Sequence, residues 1–500
     1  MDDANPALVS APGPALPPDL PPPPLERIND FPDGISPMLV KELRQGLRTY
    51  TFVILFLVLQ GLLALVLMTT GAATSASSSG GAGDLVSQII FCFFSLAVLV
   101  IQPLRGVSAI SLEIKQNTID LMVLTRLSAW RIVWGKWCSI VSQSALILLA
   151  ILPYLILRYF FGGMQLFAEL FLMLYIFIIS GTLTAITVGL SAVPSVLIRG
   201  MIPIAGAIAM SIFVLWGLTP SLYVFVGYLL PSSHEFLGAI GFLALTLYIG
   251  YFFLDMGASM IAPAAENRAT RKRLIGLGVF TVSYWILQAM DPDIALAGAL
   301  VVMALISLDI LTERADFPRI VCGPFLRFGT LGRLVGRLLY PGYASGALFF
   351  AFLTVLLVVF LMLQTKLQGP ALRIWATTGT SIAVMIFPAA IMQLFARKST
   401  QRFSLYISLQ LICFTLAIIF SALFDYLTDK TLLWIFCPIP TVLVPLIDEV
   451  WTAGNQLTIT FVTWVLAGLY YLLVLAGALP HLGRMSRLEN EQLHREDFQS

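Results

Sequence analysis

Charged residues are scarce in this chain of 500 residues. Asp, Glu, Lys and Arg make up only 11% of it, whereas about 25% is typical of soluble proteins. Apolar residues reach 58%, and a soluble fold could not bury so much apolar surface, because single cores stop growing at about 250–300 residues. The formal net charge of +2 gives no reason to expect a nucleic-acid partner. The composition therefore predicts an integral membrane protein.

Side chains that carry common catalytic and metal chemistry are also few. The five cysteines are an odd number and none lies in C-x-x-C spacing, so we expect neither a disulfide framework nor a zinc site. The three histidines form no H-E-x-x-H motif. The single Gly-Lys pair, Gly135 and Lys136, is followed by Trp137 and is not part of a P-loop, G-x4-G-K-[ST]. We expect no enzymatic activity, no metal and no cofactor in this chain.

Long apolar runs dominate most of the sequence. A helix needs about 20 mainly apolar residues to cross the hydrocarbon core of a bilayer. We predict an all-α, polytopic membrane protein with about twelve transmembrane helices, at residues 51–70, 85–104, 137–157, 166–193, 201–218, 236–256, 274–290, 294–311, 344–363, 374–395, 404–424 and 458–479. Prolines break two further apolar stretches, 219–231 and 431–448, which favours re-entrant or interfacial helices there.

The distribution of Lys and Arg orients these spans. With the N-terminus inside, the outer loops hold only four of the 29 basic residues, namely Arg158, Lys366, Arg373 and Lys430. This positive-inside bias predicts that both termini are cytosolic. Residues 1–34 are rich in proline and lack the apolar stretch of a signal peptide, so we predict a disordered cytosolic tail. The pattern suits a bacterial inner (plasma) membrane.

The layout of the spans repeats, as in tandemly duplicated membrane proteins. We predict a first six-span half at residues 35–260, a basic linker at 261–273, a second six-span half at 274–480 and a cytosolic tail at 481–500. Each half has a long basic segment between its second and third spans and a Pro-broken stretch between its fifth and sixth. Coincidence is the alternative, because the repeat is one of layout and hardly one of sequence.

Polar and small residues inside the spans indicate contacts between helices. Glutamines such as Gln102 and Gln143 are costly against lipid, so we expect them to face other helices or a water-filled path. Asp255 and Asp309 fall near the cytosolic ends of their spans, where a carboxylate costs little. A face of small residues on span four predicts close helix packing; it consists of Gly181, Ala185 and Gly189.

The segment between the second and third predicted spans, residues 105–136, has the pattern of an amphipathic helix. Its apolar residues fall three or four positions apart, at Ile119, Val123, Leu127, Trp130 and Trp134. We predict a helix at the cytosolic interface that is tied at both ends to membrane helices. Such a helix either transmits force from a soluble partner or acts only as an anchor.

The same segment resembles the signature of type-2 ATP-binding-cassette (ABC) permeases. The matching residues are Glu113, Thr118, Asp120, Leu121, Leu124, Leu127, Ser128, Ile132, Gly135 and Lys136. In that family the signature forms a coupling helix that contacts the ATPase subunit. The resemblance implies that Glu113, Thr118, Asp120 and Arg126 dock the ATPase or fix the coupling helix, with mechanical rather than covalent roles.

The start of the chain resembles the same family. Residues 36–44 read SPMLVKELR and are similar to the amphipathic elbow helix that lies on the inner leaflet before span one. In this element Lys41 and Arg44 are available for lipid headgroups, and Glu42 lies next to Lys41. The resemblance covers roughly the first 260 residues, since the second half lacks both the E-x4-T-x-D and the G-K patterns.

The resemblance implies the permease subunit of an ABC transporter, which moves a substrate, in the direction of export, by alternating access. A separate cytosolic ABC ATPase would bind ATP and Mg²⁺. The permease would act as a homo- or heterodimer unless its two halves together form one pore. The sequence does not identify the substrate. Two other classes remain as alternatives. An ion- or proton-coupled secondary transporter should show deep charged residues, and a non-transporting membrane scaffold is the third possibility.

Overall fold

The computed structural model describes residues 37–76, 82–118, 128–159, 166–212, 233–263, 266–313, 319–368, 372–396, 399, 401–424, 437–444, 447 and 454–499. Every regular element in these residues is helical, and no strand occurs among them. The helices that precede residue 262 are α1 (Pro37–Leu47), α2 (Tyr50–Ala76), α3 (Ala82–Ser95), α4 (Gln102–Arg105), α5 (Ser111–Lys115), α6 (Ala129–Tyr159), α7 (Leu166–Leu190), α8 (Val196–Ile212) and α9 (Ser233–Ile261). Those that follow are α10 (Ala269–Gln288), α11 (Pro292–Ile310), α12 (Gly323–Leu326), α13 (Gly329–Leu339), α14 (Tyr343–Gln368), α15 (Leu372–Phe395), α16 (Arg402–Phe424) and α17 (Gln456–Gln499).

Ten helical segments of the described chain are long and apolar enough to cross a membrane. This confirms the prediction of an all-α, multi-pass membrane protein. The predicted fifth span falls on α8, which has only 17 residues in the described part of the chain. The predicted seventh span falls on α10, where three cations follow one another at residues 271–273. The count of twelve therefore stays a prediction.

The second membrane-crossing segment is built from several helical types. A π-helical stretch, Leu96–Ile101, joins α3 to α4. Such stretches leave backbone groups out of the regular α-helical pattern, and these groups need other partners. The Ser180 hydroxyl of α7 donates a hydrogen bond of 2.7 Å to the Val98 carbonyl. Packing against α7 thus stabilises the irregular stretch.

The two predicted halves form one continuous bundle. The largest buried apolar cluster takes residues from α7 and α9 of the first half and from α10, α11, α14, α15 and α17 of the second. Helix α9 packs on α7 at one side and on α10 and α11 at the other. A second cluster lies wholly within the first half, among α2, α3, α6 and α7. Helix α9 therefore makes the most extensive contacts between the halves in the described residues.

Helices α7 and α9 cross at very short range. A Cβ atom added to Gly189 would lie 2.1 Å from the Phe253 carbonyl oxygen, and one added to Gly257 would lie 2.9 Å from the Gly189 Cα. A Cβ at Gly250 would be 3.5 Å from that of Ala185. The small-residue face predicted on span four thus packs closely against another helix, as expected.

Helix α17 extends far beyond its predicted span. Its 44 residues are about 66 Å long, more than twice the roughly 30 Å of a hydrocarbon core. The tail predicted at 481–500 is therefore a continuation of the transmembrane helix, through Pro480 as far as Gln499. Glu489 of this extension is buried and pairs with Arg337 of α13 at 2.8 Å.

The C-terminal part of α17 lies at the same end of the bundle as α1. A series of contacts connects the two elements: Glu489 of α17 pairs with α13, and α13 in turn accepts a hydrogen bond from Arg273 of α10. Arg268, just before α10, lies over the Trp130 ring at the start of α6, and Lys136 of α6 pairs with α1. We call this the basic end. At it, α13 exposes an apolar face, in which Phe328, Leu331 and Leu334 are 78%, 74% and 66% exposed.

The Pro-broken stretches differ in what the structure describes. Residues 219–231 and the Pro-rich 1–34 lie outside the described residues. Within 431–448, a short 3₁₀ turn, Pro440–Val442, is buried. The Thr441 hydroxyl donates to the Cys413 carbonyl of α16 at 2.8 Å, and the Tyr470 hydroxyl of α17 donates to the Pro438 carbonyl. This turn therefore packs against α15 and α16, and Pro438, just before it, is bound to α17.

Candidate functional site

Residues of the predicted coupling motif meet at the basic end, where α1, α5 and α6 come together. The Lys136 Nζ of α6 lies 3.0 Å from the Glu113 Oε1 of α5 and 3.2 Å from the Glu42 Oε1 of α1. The Lys136 side chain is 7% exposed and each carboxylate 15%. One ammonium group thus joins three separate segments. We call Glu42, Glu113, Thr118 and Lys136 the coupling cluster.

The turn after α5 completes the coupling cluster. The Thr118 hydroxyl donates hydrogen bonds to the Glu113 carboxylate and, at 3.2 Å, to the Glu113 carbonyl. Asn117 has a φ of 55°, the left-handed conformation that commonly ends a helix and that Asn tolerates well. The chain therefore turns sharply after Lys115, and the turn brings the Glu113 and Thr118 side chains together.

Helix α1 is fixed against α6 by further polar and close contacts. The Ser139 hydroxyl donates to the Glu42 carbonyl at 3.0 Å. Gly46 lies so near to α6 that a Cβ added to it would be 2.2 Å from the Gln143 Nε2. The predicted elbow helix is thus packed tightly on the start of α6, the third membrane-crossing segment.

Arg105 forms a second polar junction next to the coupling cluster. Its Nη2 donates to the Thr49 Oγ1 at 2.9 Å, and its Nη1 donates to the Gln143 Oε1 and, at 3.2 Å, to the Gln102 Oε1. Both glutamines are almost fully buried, at 0% and 1% exposure. The expectation that they face other helices is therefore confirmed. The sequence marked Arg105 only as a basic flank, without its partners.

The other residues of the predicted site fall into two groups. On α1, Lys41 and Arg44 are exposed, and on α6, Gly135 is buried. Four residues lie outside the described part of the chain, namely Asp120, Leu121, Leu124 and Arg126. Their contribution to an ATPase-docking helix stays a prediction.

The predicted amphipathic stripe over residues 119–134 is wrong at its C-terminal end. Ser128 is not helical, and α6 begins at Ala129, so Trp130 and Trp134 belong to a membrane-crossing helix rather than to a separate interfacial one. The two rings stack with centroids 5.6 Å apart, and Trp130 also packs 5.6 Å from Tyr251 of α9. These tertiary contacts explain why the third span starts before residue 137. Residues 119–127 lie outside the described residues.

The predicted basic linker, 261–273, is shorter than expected and partly buried. Helix α9 ends at Ile261 and α10 already begins at Ala269. Arg268 is 5% exposed, and its Nη2 lies 2.9 Å from the Oδ1 of Asp255, which is fully buried on α9. The Arg271 Nη2 lies 2.8 Å from the same oxygen. Two cations of the linker thus hold one carboxylate of the first half.

Two further buried cations bind carboxylates of the second half. The Lys272 Nζ lies 2.7 Å from the Asp309 Oδ1 of α11, and the Arg273 Nη2 lies 2.7 Å from the Glu313 Oε2. Burial alone would lower the pKa of Lys272, but the carboxylates of Asp309 and Glu313 outweigh it and raise that pKa. We call the ion pairs around residues 268–273 the junction cluster.

Sequence patterns do not indicate the junction cluster as a unit, although they indicate its parts. The sequence placed Asp255 and Asp309 near span ends and identified the basic run between the halves. It carried no signal that these charges pair, because each carboxylate lies far along the chain from its cation. Removing one partner of a buried pair costs about 3–5 kcal/mol, so these contacts fix α10 strongly against α9 and α11.

Comparisons with models of known families, with curated proteins and with solved structures give no significant match to this chain.

Proposed function

We propose that this chain is the membrane-spanning permease subunit of a type-2 ABC transporter, which exports a substrate by alternating access driven by a separate ATPase subunit. The observation that carries the proposal is the coupling cluster. Three residues of the family-like motif, Glu113, Thr118 and Lys136, are in direct contact, and Glu42 of the elbow-like helix joins them. Residues brought together in this way fit a mechanical role.

The coupling cluster supports a force-transmitting role because of what it connects. Residues 119–127, which follow Thr118, form the central segment of the predicted docking region, 105–136. Helix α5 and the start of α6 flank this segment, and Lys136 ties both to α1. Helix α6 then runs for 31 residues, about 46 Å, across the bundle. A push on the docking segment would therefore move α1 and α6 together.

The cluster has the strength that such a role requires. A surface ion pair contributes about 0–1 kcal/mol, whereas breaking a buried one costs about 3–5 kcal/mol. At 7% and 15% exposure, Lys136 and its two carboxylates lie close to the buried case. The contact would therefore transmit displacement rather than dissociate under load.

Site-specific photocrosslinking in native membranes tests this proposal. A photoreactive amino acid at Leu121 or Leu124 should crosslink to a cytosolic protein that carries G-x4-G-K-[ST], the phosphate-binding loop missing from this chain. The matched control is the same amino acid at Asp291, at the opposite end of α11 from Asp309. If no probe between residues 119 and 127 reaches a P-loop protein, or if Asp291 gives the same product, the proposal fails.

A charge-neutralising variant separates docking from folding. Glu113→Gln should reduce the amount of crosslinked ATPase while the chain still folds and inserts, because the amide keeps the size of the side chain. Glu266→Gln, which also removes a carboxylate at the basic end, should leave the crosslink unchanged. An equal loss in both variants would show that total charge, and not the coupling cluster, governs docking.

A further inference from the structure

A cavity of about 680 Å³ lies at the basic end, where the two halves meet. The first half contributes Lys115, Arg199 and Met256 to its wall, the linker contributes Lys272, and the second half contributes Asp309 and Arg402. Arg268, just before α10, also lines it. A molecule in this cavity would contact both halves at once.

The charges around the cavity are unbalanced. Five cationic side chains line it, and only three acidic ones do, Glu266, Asp309 and Glu313. All three of these carboxylates are already engaged by cations, at 3.3 Å from Arg268, 2.7 Å from Lys272 and 2.7 Å from Arg273, respectively. The carboxylates of the wall therefore leave a surplus of positive charge.

Two of the cations have no partner in the described part of the chain. Lys115 is exposed at the end of α5 and Arg199 is half-buried on α8, and neither forms an ion pair or a side-chain hydrogen bond there. Both belong to the first half, and they line the same cavity as Arg402 of the second. Two unpaired cations on one wall attract an anion from solvent or lipid.

Arg268 adds a buried positive charge to the same wall. It is 5% exposed, yet its Nε and Nη1 donate no hydrogen bond in the described structure, although Nη1 lies 3.3 Å from the Glu266 Oε1. The charge of Arg268 is shared between two carboxylates, since its Nη2 also lies 2.9 Å from the Asp255 Oδ1. Arg268 is also the N-cap of α10, a helix of 20 residues, so the positive end of the helix dipole lies at the cavity. The Asn267 Oδ1 accepts one N–H group of this first turn, that of Thr270, at 3.4 Å.

We propose that this cavity binds a phosphate group with net negative charge, held by Lys115 and Arg199 beside the buried charge of Arg268. Phosphate oxygens accept several charge-assisted hydrogen bonds and match the planar fork of Arg. The group belongs either to an anionic lipid headgroup or to a soluble phosphate compound. Met256, Met260 and Phe403 add an apolar part to the wall, which suits both a lipid glycerol region and an organic phosphate. The bound group would join the halves across their junction.

Titrations of the purified, delipidated full chain in detergent distinguish the two sources. Native mass spectrometry with phosphatidylglycerol, against zwitterionic phosphatidylcholine, measures lipid binding. Thermal unfolding with pyrophosphate, against chloride at equal ionic strength, measures binding of a soluble phosphate. We expect one of these anions to bind, and Arg199→Gln or Lys115→Gln to weaken it about tenfold, since each removes a charge-assisted contact.

The control is Arg333→Gln, which removes a cation of α13 that does not line the cavity and should leave the affinity unchanged. Lys115→Gln changes an exposed side chain without a partner, so it keeps the test valid even if Arg199→Gln fails to fold. The proposal is overturned if neither anion binds better than its reference. It is equally overturned if Arg333→Gln weakens binding as much as Lys115→Gln does, because attraction to the whole basic end would then account for the result.

Discussion

Replacing Lys136 with Met should destabilise the protein through the two carboxylates that remain. Lys136→Met keeps much of the side-chain volume but leaves Glu42 and Glu113, each 15% exposed, without the cation that lies 3.2 and 3.0 Å from them. Removing one partner of a fully buried pair costs about 3–5 kcal/mol, and exposed pairs contribute about 0–1 kcal/mol. For this degree of exposure we expect a loss of about 2–3 kcal/mol.

Thermal unfolding in detergent, followed by size-exclusion chromatography of the soluble fraction, measures this loss. Lys115→Met is the matched control, because Lys115 is exposed and without a partner at the same end, and its midpoint should stay at the wild-type value. The triple variant Glu42→Gln/Glu113→Gln/Lys136→Met should recover part of the loss, since no uncompensated carboxylate remains. Equal midpoints for Lys136→Met and Lys115→Met, or no recovery in the triple variant, would refute this reasoning.

Three further predictions concern packing, a thiol and the membrane boundary. Gly189→Ala should destabilise the protein by about 1–3 kcal/mol in the same unfolding assay, because its Cβ would lie 2.1 Å from the Phe253 carbonyl oxygen. The control Gly61→Ala should not, because a Cβ there has nothing within 4 Å. Similar unfolding midpoints for the two variants would contradict the close crossing of α7 and α9. Burial raises the pKa of the Cys322 thiol to about 11, so this thiol should react with maleimide far more slowly in the folded chain than after denaturation. Peptide mass spectrometry measures the two rates, and equal rates would contradict the burial of Cys322. A nitroxide on Leu331→Cys should be relaxed by lipid-soluble oxygen more than by a water-soluble nickel complex, because Leu331 lies on the exposed apolar face of α13. A nitroxide on Leu339→Cys, which is buried, should respond weakly to both. Relaxation mainly by nickel at position 331 would contradict contact of this face with lipid.

The membrane-crossing helices and part of the candidate site could be predicted from the sequence. An apolar run of about 20 residues is long enough to cross a bilayer as a helix, and ten of the predicted spans coincide with long apolar helices. The motif contains Glu113, Thr118 and Lys136, and one turn and one helix start bring Thr118 and Lys136 onto Glu113. Their role in ATPase docking stays a prediction. The sequence places Glu42 on the elbow helix, but it gives no local signal of the contact with Lys136, because the two residues are 94 positions apart in the chain.

Tertiary contacts decided the features that could not be predicted. Pro480 normally favours a helix end, yet α17 continues past it, and its extension is held by Met485 in a buried cluster and by Glu489 on Arg337. The basic run at 268–273 has the composition of a solvated linker, and only distant carboxylates such as Asp255 make its burial tolerable. Patterns within a short window carry no information on either kind of contact.

The most direct test of the central claim is affinity purification of the full chain from native membranes in mild detergent, with identification of its stoichiometric partner. Our account predicts a partner polypeptide that carries the G-x4-G-K-[ST] loop, together with ATP hydrolysis by the purified complex. If the chain instead purifies alone and still moves solute in vesicles without any nucleotide, the account is contradicted.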